Sequence, residues 1–234
     1  MNLIVFDIDG TLTDTSAVDE ELYFAALREA WKVEPEQCAW GAFENVTDSG
    51  VAEEIFARGA LEWPREEALR RLHQRFIYLM KKEHAANPAR FNEVRGAGAA
   101  VEGLRRRPNW TVSLATGCWR DSARFKLWAS RISLGGIPMA CAEDSIRRVE
   151  IVKDSIRRAK ELADGQEFDR VVMFGDGDWD VRAARELGLP LVGVGSGARA
   201  EKLRALGVSH VLEDYSLPAK TEEALKEAQV PAAV

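Results

Sequence analysis

Short runs of apolar residues are spaced along the chain and have the length of buried β-strands. The clearest runs occupy residues 3–6, 110–115, 137–142, 171–174 and 191–194, and a weaker run covers 208–212. The first run has no polar residue on either face, which is typical of parallel sheets that helices cover on both sides. The pattern therefore predicts five buried strands and a sixth strand at the edge of the sheet.

Segments with helical periodicity alternate with these strands. Apolar residues recur at helical spacing at Val101 and Leu104, at Phe125 and 127–132, at Val149, Val152, Ile156 and Ala159, and over 181–187. Gly165 and Gly188 follow the last two segments, as glycines often follow helix ends. Strands that alternate with helices predict an α/β fold with a doubly wound parallel sheet and right-handed crossovers.

The interval between the first strand and residue 110 interrupts this alternation. It contains three apolar stripes at helical spacing: Leu22, Tyr23, Ala26, Leu27, Ala30 and Trp31; then Val51, Ile55 and Phe56; then Leu69, Leu72, Phe76, Leu79 and Met80 between Pro64 and Pro88. An insertion of about 75 residues is much longer than a connecting loop. We therefore predict a helical cap at 15–92, a core at 1–14 and 93–216, and a tail or short helix at 217–234.

Composition mainly excludes classes of protein. The chain has 234 residues, 46% of them hydrophobic, and a formal net charge of −6, which disfavours general nucleic-acid binding because phosphate backbones attract basic surfaces. No apolar stretch has the length of a bilayer span, so we expect a cytoplasmic protein without a membrane partner. Cys38, Cys118 and Cys141 are expected to be free thiols in a reducing compartment.

Two carboxylates follow the first predicted strand directly, in the segment Asp7-Ile8-Asp9-Gly10-Thr11. Because side chains alternate along an extended chain, Asp7 and Asp9 are predicted to project to the same side, where their like charges favour binding of a cation. Gly10 allows the backbone to turn away from the strand, and Thr11 offers a hydroxyl and an amide beside the carboxylates.

Polar residues also follow two other predicted strands. Thr116 and Gly117 follow the second run, and Asp176 and Asp180 lie in a glycine-rich segment after the fourth run. Since ligands of open parallel sheets bind at the carboxyl ends of the strands, these groups are expected to converge with the two aspartates after the first strand. Carboxylates, a hydroxyl group and glycine-rich turns are typical of a hard-cation site next to a phosphate. The residues alone thus predict magnesium-dependent phosphoryl chemistry.

The same motifs resemble those of the haloacid dehalogenase superfamily, in its phosphoglycolate phosphatase-like branch with a helical cap in the first crossover. The family's first motif, Asp-x-Asp-Gly-Thr, matches residues 7–11, its second motif matches Thr116, and its fourth motif matches Gly175, Asp176 and Asp180. The resemblance covers nearly the whole chain. It implies a Rossmann-like catalytic core with a smaller, all-helical cap domain.

The resemblance also implies a role for each matched residue. Asp7 would be the nucleophile that forms an aspartyl-phosphate, and Asp9 would be general acid and then general base, which requires a raised pKa. Mg²⁺ would be held by the side chains of Asp7 and Asp176 and by the carbonyl group of Asp9, with Asp180 as a further ligand or as an orienting residue. The phosphoryl oxygens would be held by Thr116 and by the backbone near Gly10, Thr11 and Gly117.

The family's third motif, a basic residue that offsets the clustered negative charge, has no clear match. Arg147 is nearest by position, and Arg148 and Lys153 are alternatives. In the predicted cap, Thr47-Asp48 resembles a loop that reaches the active site in relatives. Asp48 is therefore a candidate substrate-binding residue.

These inferences predict a Mg²⁺-dependent phosphatase that acts on a small phosphorylated metabolite, a phosphate monoester, as a monomer or homodimer. Asp9 argues against a dehalogenase, which does not need a second aspartate as an acid. One alternative is a sugar phosphomutase similar to the β-phosphoglucomutases, which tend to have Val where Thr11 stands. The other is a catalytically silent protein that binds phosphorylated metabolites.

Overall fold

The computed structural model describes residues 1–34, 40–58 and 63–233. Its strands are β1 (Asn2–Phe6), β2 (Trp110–Ala115), β3 (Met139–Ala140), β4 (Arg170–Gly175), β5 (Leu191–Val194) and β6 (His210–Leu212). They form one parallel sheet in the order β3-β2-β1-β4-β5-β6. The predicted α/β fold with a parallel sheet is confirmed, and the weak run near residue 210 does form an edge strand.

The third strand is shorter than its apolar run predicts. β3 contains only Met139–Ala140, whereas the run extends over 137–142. Pro138 has no N–H group to donate to a neighbouring strand, and β3 lies at the edge of the sheet, where only β2 is available as a partner. Both effects limit the length of regular pairing.

Helices surround the sheet and fill the long interval after β1. They are α1 (Ser16–Trp31), α2 (Asp48–Arg58), α3 (Arg65–Ala86), α4 (Ala97–Arg105), α5 (Arg120–Ala129), α6 (Arg148–Leu162), α7 (Asp178–Leu187), α8 (Gly197–Ala205) and α9 (Pro218–Glu227). Short 3₁₀ turns lie at Trp40–Ala42 and Pro88–Arg90. We call α1, α2, α3 and the residues between them that the structure describes the helical segment.

The side chains of β1 alternate between two hydrophobic clusters, one on each face of the sheet. Ile4 and Phe6 belong to one cluster, and Leu3 and Val5 belong to the other. None of these four residues is more than 1% exposed. Burial on both faces explains why the strand is apolar throughout.

A third hydrophobic cluster fills the helical segment. Tyr23 and Phe76 are fully buried in it, and Trp119, which precedes α5, packs against both rings. The ring of Trp119 therefore joins the helical segment to the part of the chain that forms the sheet.

The register of the central strands places the motif residues at one level. Phe6 lies opposite Leu114 of β2 and Phe174 of β4. The amide of Asp7 continues this pairing, since it donates a hydrogen bond to the carbonyl oxygen of Phe174 at 2.9 Å. Because the three strands end together, the residues that follow them lie side by side at one edge of the sheet.

Two expectations drawn from composition can be compared with the structure. Across the ranges described above, none of the helices has both the length and the apolar character needed to cross a membrane. Cys118 and Cys141 are buried free thiols, as expected, whereas Cys38 lies outside the described residues.

Candidate active site

Three carboxylates meet where β1 and β4 end, and we call them the metal-side cluster: Asp7, Asp176 and Asp180. One oxygen atom from each lies within 4.8 Å of the others. The three residues are only 6%, 7% and 1% exposed. Their charges are therefore removed from water and repel one another.

Asp180 organises this cluster from the first turn of α7. Its Oδ2 atom accepts hydrogen bonds from the backbone N–H groups of Asp176 at 3.1 Å and Gly177 at 3.2 Å. Its Oδ1 atom accepts two more from the guanidinium group of Arg148, at 3.1 and 2.9 Å. Because protein donors engage both oxygens, Asp180 is better suited to orienting Arg148 and the loop than to binding a metal ion directly.

Arg148 is the basic residue that faces the metal-side cluster. Its Nη2 atom lies 2.8 Å from Asp7 Oδ1 and 2.9 Å from Asp180 Oδ1, and its side chain is only 9% exposed. It also borders Gly117, where a Cβ atom would lie 2.9 Å from Arg148 Nη1. A single guanidinium group thus touches the first, second and fourth motifs.

The other two candidates for the third motif lie on the surface. Arg147 is 55% exposed and pairs with Glu186 at 3.2 Å, and Lys153 is 53% exposed and pairs with Glu150 at 2.9 Å. The choice of Arg147 from the sequence is therefore corrected in favour of Arg148. Arg147 precedes α6 with an extended backbone and Arg148 is the first helical residue, so the two neighbouring side chains point in different directions.

A second group of buried polar residues, which we call the lysine-side cluster, consists of Asp9, Asp19, Cys118 and Lys126. Lys126 on α5 is fully buried, and its ammonium group lies 2.5 Å from Asp9 Oδ2 and 2.6 Å from Asp19 Oδ1. It also lies 2.9 Å from Cys118 Sγ, and the Cys118 thiol donates to Asp9 Oδ2 at 2.8 Å. One buried ammonium group thus serves two carboxylates.

The two clusters shift the pKa values of the first-motif aspartates in opposite directions. Burial raises the pKa of Asp7 to about 7, although Arg148 opposes the shift. Burial acts on Asp9 too, but the attraction of Lys126 and hydrogen bonds from neighbouring side chains outweigh it and lower the pKa of Asp9. The structure therefore differs from the expectation of a raised pKa for Asp9, because a buried lysine from a distant part of the chain lies beside it.

The metal-side cluster has the donor set and the charge imbalance that suit a hard divalent cation. Asp176 Oδ1 is buried and has no hydrogen-bond partner in the described part of the chain. Burial first, and then the charges of Asp7 and Asp180, raise the pKa of Asp176 well above its usual range. Arg199 lies 3.3 Å from Asp176 Oδ2, but its side chain is 42% exposed. A cation between Asp7 and Asp176 would supply the missing charge.

Of the residues expected to hold phosphate, Thr116 and Gly117 line a cavity at the strand ends. The amides of Gly10 and Thr11 instead donate to backbone carbonyl groups within their own turn, at 2.7 and 3.2 Å. The expectation that these two amides hold phosphoryl oxygens is therefore corrected. The turn after β1 uses them for its own closure.

Gly10 is required for a different reason. Its φ angle is +70°, a conformation that glycine adopts readily, and a Cβ atom there would collide with the carboxylate of Asp176. The absence of a side chain allows the turn after β1 to lie directly against the metal-side cluster.

The cavity lies between the strand ends and the helical segment and has a volume of about 60 Å³. Trp40, Val46, Thr47 and Asp48 contribute to its lining from the helical segment. The backbone N–H of Asp48 donates to the carbonyl oxygen of Gly117 at 2.7 Å. The loop that contains Asp48 therefore reaches the strand ends.

Sequence reasoning missed Lys126 and Asp19. Both lie on buried helix faces, Lys126 beside Ala123 and Leu127 in α5, and Asp19 beside Val18 in α1. A charged residue inside an apolar stripe could have indicated a buried ion pair. The pattern does not reveal that Lys126 and Asp19 are partners, because 107 residues separate them along the chain.

Several solved structures share the fold. A hydrolase from Pseudomonas syringae has a TM-score of 0.70 at 21% identity, over 97% of this chain and 99% of that one. CbbY from Rhodobacter sphaeroides, in complex with phosphate, has a TM-score of 0.61 at 16% identity, over 92% of this chain and 94% of that one. A predicted phosphatase from Clostridium acetobutylicum has a TM-score of 0.60 at 19% identity, over 96% and 98%. At these identities the likeness extends to the fold alone.

Sequence comparison is more specific about the family. No curated protein matches the chain significantly. A family model described as haloacid dehalogenase-like hydrolase matches residues 1–188, which include both clusters and Arg148. The chain therefore belongs to the haloacid dehalogenase-like hydrolase family.

Proposed function

We propose that this hydrolase is a Mg²⁺-dependent phosphatase that acts on a small phosphate monoester through an aspartyl-phosphate on Asp7. Its strongest support is the buried Asp7 carboxylate, which lies between Arg148 and Asp176 and borders a small cavity. Membership of a hydrolase family supports the reaction class. The partner that we propose is a small phosphorylated metabolite.

Asp7 is the proposed nucleophile. Arg148 binds its Oδ1 atom at 2.8 Å, which orients the side chain and favours its charged form. The Oδ2 atom would then attack phosphorus and carry the phosphoryl group. Because Asp180 holds Arg148 in turn, the attacking carboxylate has one defined orientation.

Mg²⁺ is the proposed cofactor, with the side chains of Asp7 and Asp176 and the carbonyl oxygen of Asp9 as its protein ligands. When bound, it would neutralise the negative charge that opposes the approach of a carboxylate to a phosphate group. Asp180 would keep its hydrogen bonds to Arg148 and to the loop after β4.

Thr116 and Gly117 are the proposed binding groups for the phosphoryl oxygens. Both line the cavity at the end of β2. The hydroxyl oxygen of Thr116 accepts a hydrogen bond from the N–H of Cys118 at 3.2 Å, which leaves the hydroxyl proton to donate to a phosphoryl oxygen.

Asp9 is the proposed general acid and base. Its lowered pKa keeps it ionised near neutral pH, which suits the second step, in which it accepts a proton from the attacking water. In the first step it must be protonated in order to protonate the leaving oxygen. The negative charge of a bound phosphate group would raise its pKa and favour that protonation.

A panel of small phosphate monoesters, assayed with and without Mg²⁺, tests the proposal. The wild type should release inorganic phosphate only with Mg²⁺, and Asp7→Asn should lose at least about 10⁴-fold of kcat. Circular dichroism checks that the variant is folded, and substantial activity in a folded Asp7→Asn protein would contradict the covalent mechanism.

The same panel distinguishes the two alternatives. Interconversion of hexose phosphate isomers without release of phosphate would identify a phosphomutase. Binding of the esters without any turnover would identify a catalytically silent binding protein.

A further inference from the structure

The part of the cavity on the side of the helical segment is lined by acidic side chains. We infer that the enzyme selects phosphate monoesters whose leaving group carries a positive charge, namely phosphorylated amino alcohols, and that Asp48 is the specificity-determining residue. This selectivity rests on the proposed phosphatase function and extends it to a substrate class.

Asp48 begins α2 and is fixed over the loop that follows β2. Its backbone N–H donates to Gly117 O at 2.7 Å, and its Oδ2 atom accepts a hydrogen bond from the N–H of Trp119 at 2.7 Å. The hydroxyl group of Tyr23 donates to the carbonyl oxygen of Asp48 at 2.5 Å. Asp48 is only 2% exposed, and it lines the cavity together with Gly117. Its position is therefore next to the proposed phosphoryl site.

Asp48 has no ion-pair partner among the residues that the structure describes. Across 1–34, 40–58 and 63–233, no lysine, arginine or histidine side chain forms a salt bridge with its carboxylate. The remaining stretches of sequence contain no lysine, arginine or histidine. Lys126 attracts Asp48 without forming an ion pair with it, so a cation in direct contact with the carboxylate must come from another molecule.

The basic residues near the cavity are already paired. Arg148, the one basic side chain among the described lining residues, binds Asp7 and Asp180. Lys126 is fully buried and binds Asp9 and Asp19. A carboxylate or a second phosphate on the leaving group would therefore meet negative charge without a free cation, and such repulsion discriminates between substrates.

The electrostatics of Asp48 favour the same class of ligand. Burial raises the pKa of Asp48 well above its usual range, the nearby charge of Asp19 adds to the shift, and the charge of Lys126 opposes it only in part. An ammonium group beside the carboxylate would lower that pKa again and would be attracted strongly, since little water screens the pair.

The walls of the cavity also favour a positively charged leaving group. Trp40 and Trp179 contribute indole rings to the lining, and indole faces attract ammonium groups. The lining therefore favours an amino alcohol over an uncharged alcohol as the leaving group.

Three esters of similar size that differ in charge test this selectivity: O-phosphoethanolamine carries an ammonium group, propyl phosphate a neutral methyl group, and phosphoglycolate a carboxylate. With wild type and Mg²⁺, kcat/KM should fall in that order, by at least about tenfold at each step. Equal values, or a preference for phosphoglycolate, would overturn the inference and leave the phosphatase function intact.

The variant Asp48→Asn removes the charge and keeps an oxygen that can accept the hydrogen bond from Trp119. Its kcat/KM values for O-phosphoethanolamine and propyl phosphate should agree within about twofold. Asp121→Asn is the matched control, because Asp121 on α5 is 69% exposed and lies outside the cavity lining, and it should keep the wild-type ratio. An unchanged ratio in Asp48→Asn would overturn the role assigned to Asp48.

A binding measurement separates failure of this inference from failure of the proposed function. Isothermal titration of Asp7→Asn with the same three esters and Mg²⁺ measures charge selection without turnover. Tighter binding of O-phosphoethanolamine than of phosphoglycolate would support the inference, even if the wild type hydrolysed neither ester. Equal affinities or the reverse order would overturn it.

Discussion

The metal-side cluster and the lysine-side cluster contain similar groups and differ in how their charge is balanced. In the lysine-side cluster, Lys126 contacts both carboxylates, at 2.5 and 2.6 Å. In the metal-side cluster, Arg148 contacts Asp7 and Asp180 only. Asp176 has the partly exposed Arg199 at 3.3 Å and keeps an oxygen without a hydrogen-bond partner among the described residues. The supply of buried cations, more than the number of carboxylates, therefore distinguishes the cluster that suits a metal ion from the one that does not.

The same difference gives two neighbouring aspartates separate properties. Asp7 and Asp9 are two positions apart, yet the pKa of Asp7 is raised to about 7 and that of Asp9 is lowered. Two carboxyl groups whose environments separate their pKa values are suited to different steps of one reaction. Arg148 alone leaves the pKa of Asp7 raised, so the proposed role as an anionic nucleophile calls for a further cation, whereas Lys126 already keeps Asp9 ionised.

The largest expected contrast between the clusters lies in formation of the phosphoenzyme. Asp7→Asn should lose at least about 10⁴-fold of kcat and form no phosphoenzyme. Asp9→Asn should lose about 10²- to 10⁴-fold, because proton transfer is lost. With p-nitrophenyl phosphate, whose leaving group needs little protonation, Asp9→Asn should accumulate phosphoenzyme and give a burst of p-nitrophenolate in rapid-quench experiments. A burst in Asp7→Asn, or none in Asp9→Asn, would contradict these roles.

Removal of the ammonium group should make the lysine-side cluster resemble the metal-side cluster. Lys126→Met should lower the free energy of unfolding by about 3 to 5 kcal/mol at pH 8, since two buried carboxylates lose their cation. Urea denaturation measures this loss. Adding Asp19→Asn should recover part of it, and failure to recover any would contradict charge repulsion as the cause.

The effect of pH on that loss provides a control. In the wild type the pKa of Asp9 is lowered from its ordinary value of 3.8. The ion pair of Asp9 therefore stabilises the folded state at pH values above 3.8, and this stabilisation is lost as the pH falls through the pKa that Asp9 has in the folded state. In Lys126→Met, burial alone should raise the pKa of Asp9, and the variant should then lose stability as the pH rises through the new value. The difference between the two proteins should therefore be larger at pH 8 than at pH 5.

Neighbouring arginines test which basic residue serves the metal-side cluster. Arg148→Ala should reduce kcat/KM by about 100-fold, because Asp7 and a bound phosphate lose their buried positive charge. Arg147→Ala should change it by less than about twofold, since surface ion pairs contribute little. Equal losses in steady-state assays of the two variants would contradict the assignment of Arg148.

Added Mg²⁺ should stabilise the protein by a smaller amount that depends on pH. In the folded state the pKa of Asp7 is raised from 3.8 to about 7. The protonated form of Asp7 therefore makes its full contribution to stability below pH 3.8, and this contribution is lost as the pH rises through 7. Mg²⁺ binds the ionised form. At tenfold excess over its Kd it should add about 1.4 kcal/mol, a few degrees in Tm. Scanning calorimetry should find that Mg²⁺ raises Tm more at pH 8 than at pH 5. Asp176→Asn should remove most of this increase.

The positions of Asp7 and Asp176 in the metal-side cluster, and of Thr116 at the end of β2, could be predicted because they depend on local sequence. Asp7, Thr116 and Asp176 each follow an apolar strand directly, and parallel pairing brings the ends of β1, β2 and β4 together. The edge strand β6 and the helices of the long interval also followed from apolar periodicity. These features need no knowledge of contacts between distant side chains.

Other features depend on geometry that the sequence does not contain. The choice between Arg147 and Arg148 depends on where α6 begins, and an error of one residue reverses it. The amide of Thr11 is used within its turn, which its motif does not reveal. The contact of Lys126 with Asp19 joins positions that are 107 residues apart, so only the folded chain brings them together.

Trp119 has a consequence for how such a protein can change. Trp119 is 5% exposed, and its indole packs edge-on against Phe76 and donates to Ser49 Oγ at 2.9 Å. A residue in the loop after β2 therefore completes the core of the helical segment. A helical segment transplanted from another family member would need a pocket of the same shape, or the ring would be left in water. New specificity should therefore arise more readily from point changes that keep this pocket than from exchange of the whole segment.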